Sequence, residues 1–130
     1  MKTNLADKWF SLYIRLRDSD ENGYAHCSTC GAIKFWRDMD CGHFIKRQNM
    51  SLRFSEINCS IQCRKCNWLE QGNDIKFKDF LINKYGIDKY NLLLSAKNDT
   101  RKISTFEISE IAKYYKQKAV ELAKEKGIKL

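Results

Sequence analysis

Four cysteines fall in two identical spacings, Cys27-x-x-Cys30 and Cys63-x-x-Cys66, with 32 residues between the pairs. Two thiolates three positions apart can face one ion from a tight turn. Two such turns complete a sulfur tetrahedron, the coordination Zn²⁺ takes in structural sites. A closed shell of four sulfurs leaves no position for a substrate, so the ion expected here is a staple clamping two distant turns. The alternative is four buried, reduced thiols. Cys41 and Cys59 lie outside this pairing and are expected as small buried core residues.

The segment between the pairs carries a second kind of chemistry. Asp40-Cys41-Gly42-His43 sits within it, and Asn67 directly follows the second pair. A neutral imidazole takes a proton near pH 7, which makes His43 a candidate general base. Carboxylate and amide oxygens suit a hard ion such as Mg²⁺ or Mn²⁺, so Asp40 and Asn67 are candidate ligands of a second, open site. Glu70, one helical turn after Asn67, is a reserve ligand. Plainer roles exist: His43 as a structural strand residue, and Asn67 as a helix N-cap. Lys46, Arg47, Arg53, Arg64 and Lys65 surround these positions and could clamp phosphates, or could be ordinary surface charges. His26, beside the first pair, is expected to be exposed or to touch phosphate.

Elements must hold these side chains in place. Trp9, Leu12, Tyr13 and Leu16 have helical spacing, which predicts an amphipathic N-terminal helix within residues 6–20, closed by the Asn22-Gly23 turn. Ala32 to Trp36 and Asp40 to Ile45 read as strands, and Lys46 to Asn58 as a polar loop. A helix is expected to leave the second cysteine pair near Asn67, although Gly72 weakens it. Ile75 to Tyr85 and Tyr90 to Ala96 read as further helices. Ser104-Thr-Phe-Glu107 is a capping-box pattern opening a long helix that ends at Gly127, with Phe106, Ile108, Ile111, Tyr115, Val120 and Leu122 along it.

The chain has 130 residues and a formal net charge of +8, with six basic and six acidic residues up to position 40 and the whole surplus after it. Such a surface attracts polyanions, nucleic acid foremost, or simply aids solubility. No stretch approaches the roughly 18 apolar residues of a membrane span, and the residues MKTNLADKWF lack the apolar core of a secretory signal. A cytoplasmic protein with no membrane partner is therefore expected, in which paired cysteines bind metal. No repeat, low-complexity segment or proline marks a linker, so residues 1–130 read as one domain.

The order Cys-x-x-Cys, a strand with an acid and a histidine, Asn58, then Cys-x-x-Cys-Asn67 resembles the zinc-bearing HNH endonucleases. More narrowly, Tyr13-Ile-Arg-Leu-Arg-Asp18, Met39-Asp-Cys-Gly-His-Phe-Ile45, Arg53-Phe, Asn58 and Gln62-Cys-Arg-Lys-Cys-Asn67 are similar to the NinG/Rap family of lambdoid phages. The Cys-x-x-Cys-Asn ending is also similar to that of the phage T4 junction-resolving endonuclease. The resemblance implies an α+β fold: a ββα-metal (HNH) core over 24–85 with a four-cysteine zinc site, an N-terminal helix and a C-terminal helical extension over 87–130. It implies a metal-dependent endonuclease acting on branched DNA such as Holliday junctions, with His43 activating water and Asn58 bracing the loop that orients it. It also implies a homodimer, with recombination proteins as further partners, in a phage-infected or lysogenic bacterium. One departure stands out: many HNH enzymes place the acid directly before the histidine, whereas Cys41 and Gly42 intervene here. A non-catalytic zinc-dependent DNA-binding module and a general HNH nicking nuclease are the competing expectations.

Overall fold

The leucines, aromatics and alanines of the first 17 residues wind into α1 (Asn4–Arg17) in a computed structural model that describes residues 2–130. Its most deeply buried positions are Ala6, Phe10, Ile14 and Leu16, while Trp9, Leu12 and Tyr13 pack only partly. The buried stripe is thus rotated from the expected one, and residues 18–20 form a turn rather than more helix. There the Asp20 carboxylate accepts from the backbone N–H groups of Asn22 and Tyr24.

Two small antiparallel sheets follow. β1 (Tyr24–His26) pairs with β2 (Ile33–Phe35) around the first cysteine turn, and β3 (Met39–His43) pairs with β4 (Cys59–Cys63). The two expected strands, near residues 33 and 40, thus lie in different sheets. Strand β2 turns back onto β1, and β3 finds its partner across the loop at residues 59–63, a stretch with no strand pattern in the sequence. All five residues of β4 are buried. A strand covered on both faces shows no polar–apolar alternation, and Cys-Ser-Ile-Gln-Cys conceals it further.

The loop between β3 and β4 contains a single turn of helix, α2 (Met50–Arg53). After β4 the chain makes a π-helical turn, Lys65–Leu69, and then stops, because Gln71, Gly72 and Asn73 all take positive φ. The helix expected from Asn67 is therefore little more than one turn. Helices α3 (Asp74–Tyr85) and α4 (Ile87–Ala96) meet at Gly86, and their Phe77, Leu81, Tyr90 and Leu93 bury Ile45 and Leu52 of the loop.

The last helix, α5 (Thr105–Lys126), starts at the expected capping box: the Glu107 N–H donates to Ser104 Oγ at 3.1 Å. It ends at Gly127 in the left-handed region. Its buried face is Ile108, Ala112, Tyr115, Ala119 and Ala123, so the expected apolar stripe needs correction. Phe106 is 72% exposed and Val120 also points outward. Alanines carry little hydrophobic signal in a sequence, yet they allow close approach, and α5 lies against α1 through them. No helix among the described residues is long and apolar enough to cross a membrane.

One ionic joint ties these layers together. Arg17 donates to both oxygens of Asp18, at 2.8 and 3.2 Å, and to the carbonyls of Glu56 and Cys59. Asp18 Oδ2 accepts from the Ile61 N–H at 2.9 Å, and Lys126 Nζ at the far end of α5 donates to the carbonyls of Leu16 and Ser19. Removing one partner of a buried pair strands the other. Asp18→Ala is therefore expected to cost about 3 kcal/mol, read as a lower urea midpoint at unchanged m; an unmoved midpoint would show that the joint contributes nothing.

Candidate functional site

The two cysteine turns converge. Cys27 and Cys30 lie between β1 and β2, Cys63 ends β4, and Cys66 sits in the π-helical turn. Their four sulfurs all lie within 4.8 Å of one another, and three of the residues are buried. Cys30 Sγ and Cys63 Sγ are 3.7 Å apart; a zinc–sulfur bond of about 2.3 Å gives a tetrahedral edge of about 3.8 Å. Donors also point at the sulfurs: the Cys66 N–H at Cys63 Sγ, and Asn73 Nδ2 at Cys66 Sγ. Burial alone would raise the Cys27 thiol, but hydrogen bonds from Thr29 and the turn's backbone outweigh it and hold this thiol at about 6. Burial and the neighbouring sulfurs instead push the Cys63 thiol up to about 12, and Cys30 is raised too, so the sulfurs crowd one another without a cation. Four converging sulfurs with supporting donors fit a zinc ion, and this cluster could hold one.

A cleft of about 320 Å³ opens beside the cluster, along the edge of β3 that pairs with no other strand among the described residues. His43, Asp40 and Asn67 all line it. Asp40 Oδ2 accepts from Asn67 Nδ2 at 3.1 Å and from the indole Nε1 of Trp68 at 3.0 Å. The π-helical turn thus delivers Asn67 directly to the strand that carries His43. Because the Asn67 amide donates through nitrogen, its carbonyl oxygen is the atom left for a cation.

His43 is oriented by the loop. Its Nε2 lies 2.9 Å from the Arg53 carbonyl oxygen. A carbonyl only accepts, so Nε2 carries the proton and Nδ1 keeps the lone pair. Burial, reinforced by the Arg47 and Arg53 charges, overrides the carbonyl and Asp7 and holds this imidazole below its usual 6.5. Lowering a base's pKa keeps it unprotonated to lower pH, so the ring is neutral at pH 7.

Asn58 is 0% exposed and so out of reach of any substrate. Its Oδ1 accepts from the Ile45 N–H at 2.8 Å, and its Nδ2 donates to the carbonyls of Ile45 and Leu52. Leu52 precedes the residue whose carbonyl holds His43, which makes Asn58 a positioning residue. Gln62 does similar work across the sheet. It is fully buried, its Nε2 donates to Thr29 Oγ1 and the Gly72 carbonyl, and its side chain crosses Gly42 so closely that a Cβ there would collide.

The expected phosphate contacts separate. Arg47 and Arg64 line the cleft, and Lys46 lines its continuation past His43. Arg53 does not serve as a free clamp: its side chain is 15% exposed and grips Asp7 with two hydrogen bonds of 2.8 and 2.7 Å. Lys65 and Glu70 are exposed but line neither part of the cleft, because the π-helical turn does not bring residue 70 over residue 67. His26 is exposed at the end of β1. Cys59 is buried as expected, whereas Cys41 is only half-buried and faces the cleft. Sequence reasoning missed Asp7, Arg15, Arg37 and Trp68, all of which line it. Asp7, Ser11 and Arg15 recur every four residues on α1, a polar stripe that was legible beside the apolar one.

These features define a class: an α+β protein with a four-cysteine cluster that could hold zinc and an arginine-rimmed cleft carrying a neutral histidine. Residues 3–125 match the family described as the bacteriophage lambda NinG protein, and the chain belongs to that family. It is 30% identical over 118 residues to Protein ninG of Salmonella phage P22, covering 90% of this chain and 55% of that protein. The match to Protein ninG of Escherichia phage 933W is again 30% over 118 residues, covering 56% of that protein. The chain thus spans about half the length of the curated relatives it matches. No solved structure matches it.

Two outcomes are expected from this geometry. Stripping metal with a strong chelator should lower the melting temperature by more than about 10 °C, since structural zinc contributes on the order of 10 kcal/mol; unchanged melting would show that the thiols hold nothing structural. Nitrogen-detected NMR should find His43 as the neutral Nε2–H tautomer at pH 7, protonating only below 6.5. A Nδ1–H tautomer would overturn the orientation derived from the Arg53 carbonyl.

Proposed function

We propose that this chain is a metal-dependent DNA endonuclease of the ββα-metal (HNH) type, acting on branched recombination intermediates such as Holliday junctions. The observation that carries the reading is that Asn67, 27 positions after Asp40, joins Asp40 and His43 of β3 in one cleft rimmed by Arg15, Arg37, Arg47 and Arg64. The order β3, loop with Asn58, β4, helical turn with Asn67 supports the ββα assignment, with β3 and β4 as its two strands. The likeness to NinG proteins supports a phage setting.

In this reading the arginines bind the phosphate backbone and orient it along β3. His43 Nδ1 takes a proton from a water as that water's oxygen attacks phosphorus in line, and the opposite P–O bond breaks. Nε2 stays on the Arg53 carbonyl throughout, so the ring cannot turn away as its charge changes. Asp40 and the Asn67 carbonyl would hold Mg²⁺ or Mn²⁺, which when bound supplies positive charge to the scissile phosphate and leaving oxygen. Resolving a symmetric junction needs two cuts, so two copies would act together. The apolar stripe of α5 is spent on α1, which leaves its outward Phe106, Tyr114 and Val120 as the surface for that pairing.

The deciding experiment offers the chain four-way, flap, single-stranded and linear duplex DNA with and without Mg²⁺ or Mn²⁺. Nicking of the four-way junction is expected, with a loss of at least about a hundredfold in His43→Ala at unchanged zinc content. Full activity in that variant would remove His43 from the mechanism. Equal cutting of linear duplex would favour a general nuclease, and tight binding without any cutting would favour a non-catalytic DNA-binding module.

A further inference from the structure

A second group of soft ligands lies outside the four-cysteine cluster. Cys41, His43 and Cys59 each offer a ligand atom, and these three atoms lie within 4.8 Å of one another. Sheet geometry makes the grouping rigid. His43 and Cys59 are direct partners in the β3–β4 ladder, and Cys41 lies two residues before His43 on the same face of β3. Cys41 and His43 line the cleft, so an ion can reach them, while Cys59 is fully buried behind them.

We propose that Cys41, His43 and Cys59 form a second metal site, selective for a borderline-soft divalent ion such as Zn²⁺, and that filling it switches off the chemistry of the cleft. Two thiolates and one imidazole are a ligand set that zinc takes with a fourth position open, and here that position faces the cleft. The surroundings favour zinc over the hard ions. Cys59 packs among Phe10, Ile14 and Tyr115, a largely apolar shell that leaves Mg²⁺ no room for its retained waters. Binding releases two thiol protons to solvent and forms two sulfur–metal bonds. With Nε2 committed to the Arg53 carbonyl, the ring's contribution is the Nδ1 lone pair, the same pair the proposed hydrolysis uses to take a proton from water. An imidazole ligated there cannot act as a base. The switching half of this inference rests on the nuclease reading; the metal site does not.

The test separates the two. The reduced 130-residue chain carrying one equivalent of Zn²⁺ in its four-cysteine site is titrated with Co²⁺ in the absence of DNA. Thiolate-to-cobalt absorption and tetrahedral d–d bands are expected to saturate at one added equivalent, with affinity falling at least about tenfold in both Cys41→Ser and His43→Gln. No absorption, or the same titration in both variants, would overturn the site. Excess Zn²⁺ at fixed Mg²⁺ should then suppress nicking by the unaltered protein at least about tenfold, and that by Cys41→Ser far less. Equal suppression would show that zinc acts elsewhere and would sink the switch. If no DNA is cut by any form, the nuclease reading falls, while the cobalt titration still decides the site.

Discussion

The pairing of β3 with β4 is the constraint on which the rest of the molecule depends. In that ladder Met39 stands opposite Cys63, Asp40 opposite Gln62 and His43 opposite Cys59. One end of the ladder therefore enters the four-cysteine cluster, and the other carries the histidine. Because β-strand register allows only whole-residue steps, and a one-residue slip reverses every side chain, the distance from cluster to cleft is fixed by the pairing itself. Closing the cysteine cluster then brings Cys66 to the end of β4 and, with it, Asn67 to Asp40.

Around this ladder, polar side chains do what a small apolar core cannot do alone. Asn58 and Gln62 are buried amides whose hydrogen bonds each join segments that are separate in the chain: Asn58 joins the loop to itself, and Gln62 joins the first cysteine turn to the bend after the second. A buried amide without partners is costly, and Asn58, paired through both its oxygen and its nitrogen, selects the arrangement that pairs them; Gln62 is paired through Nε2 alone, and its buried Oε1 meets no partner among the described residues. Asp7 with Arg53, and Asp18 with Arg17, extend the same logic to α1. The first of these ion pairs lies directly beside the carbonyl that orients His43, so the cleft's histidine is held by a chain of contacts running back to the first helix.

Electrostatics give the cleft its character. Arg15, Arg37, Arg47 and Arg64 supply positive charge, while Asp7 and Asp40 are the carboxylates among its lining residues. The same burial that keeps His43 neutral also keeps water away from one side of it. A cationic groove with an uncharged imidazole in its lining favours an anionic ligand over a cationic one, which is the charge balance the proposed nuclease reading needs.

Much of this was legible in the chain before any fold was known. The two Cys-x-x-Cys pairs, the capping box at Ser104 and Glu107, and the glycine stops at residues 86 and 127 act locally, and local chemistry dictates them wherever the chain goes. The histidine, the acid and the asparagine were recognisable by type and by order. Apart from the convergence of the cysteine pairs, which their matching spacing announced, what sequence left undetermined were features that depend on a partner far along the chain. Strand β4 has no alternation because it is covered on both sides. Arg53 looked like a free cation until Asp7, 46 positions earlier, met it. Cys41 looked like core filler until the open edge of β3 turned it toward a cleft. Residue types and short spacings set which chemistry was available; only the packing of distant segments decided which groups were spent on holding the fold and which were left facing the groove, because hydrogen bonds and ion pairs between distant residues exist only once tertiary contacts bring their partners within about 3 Å.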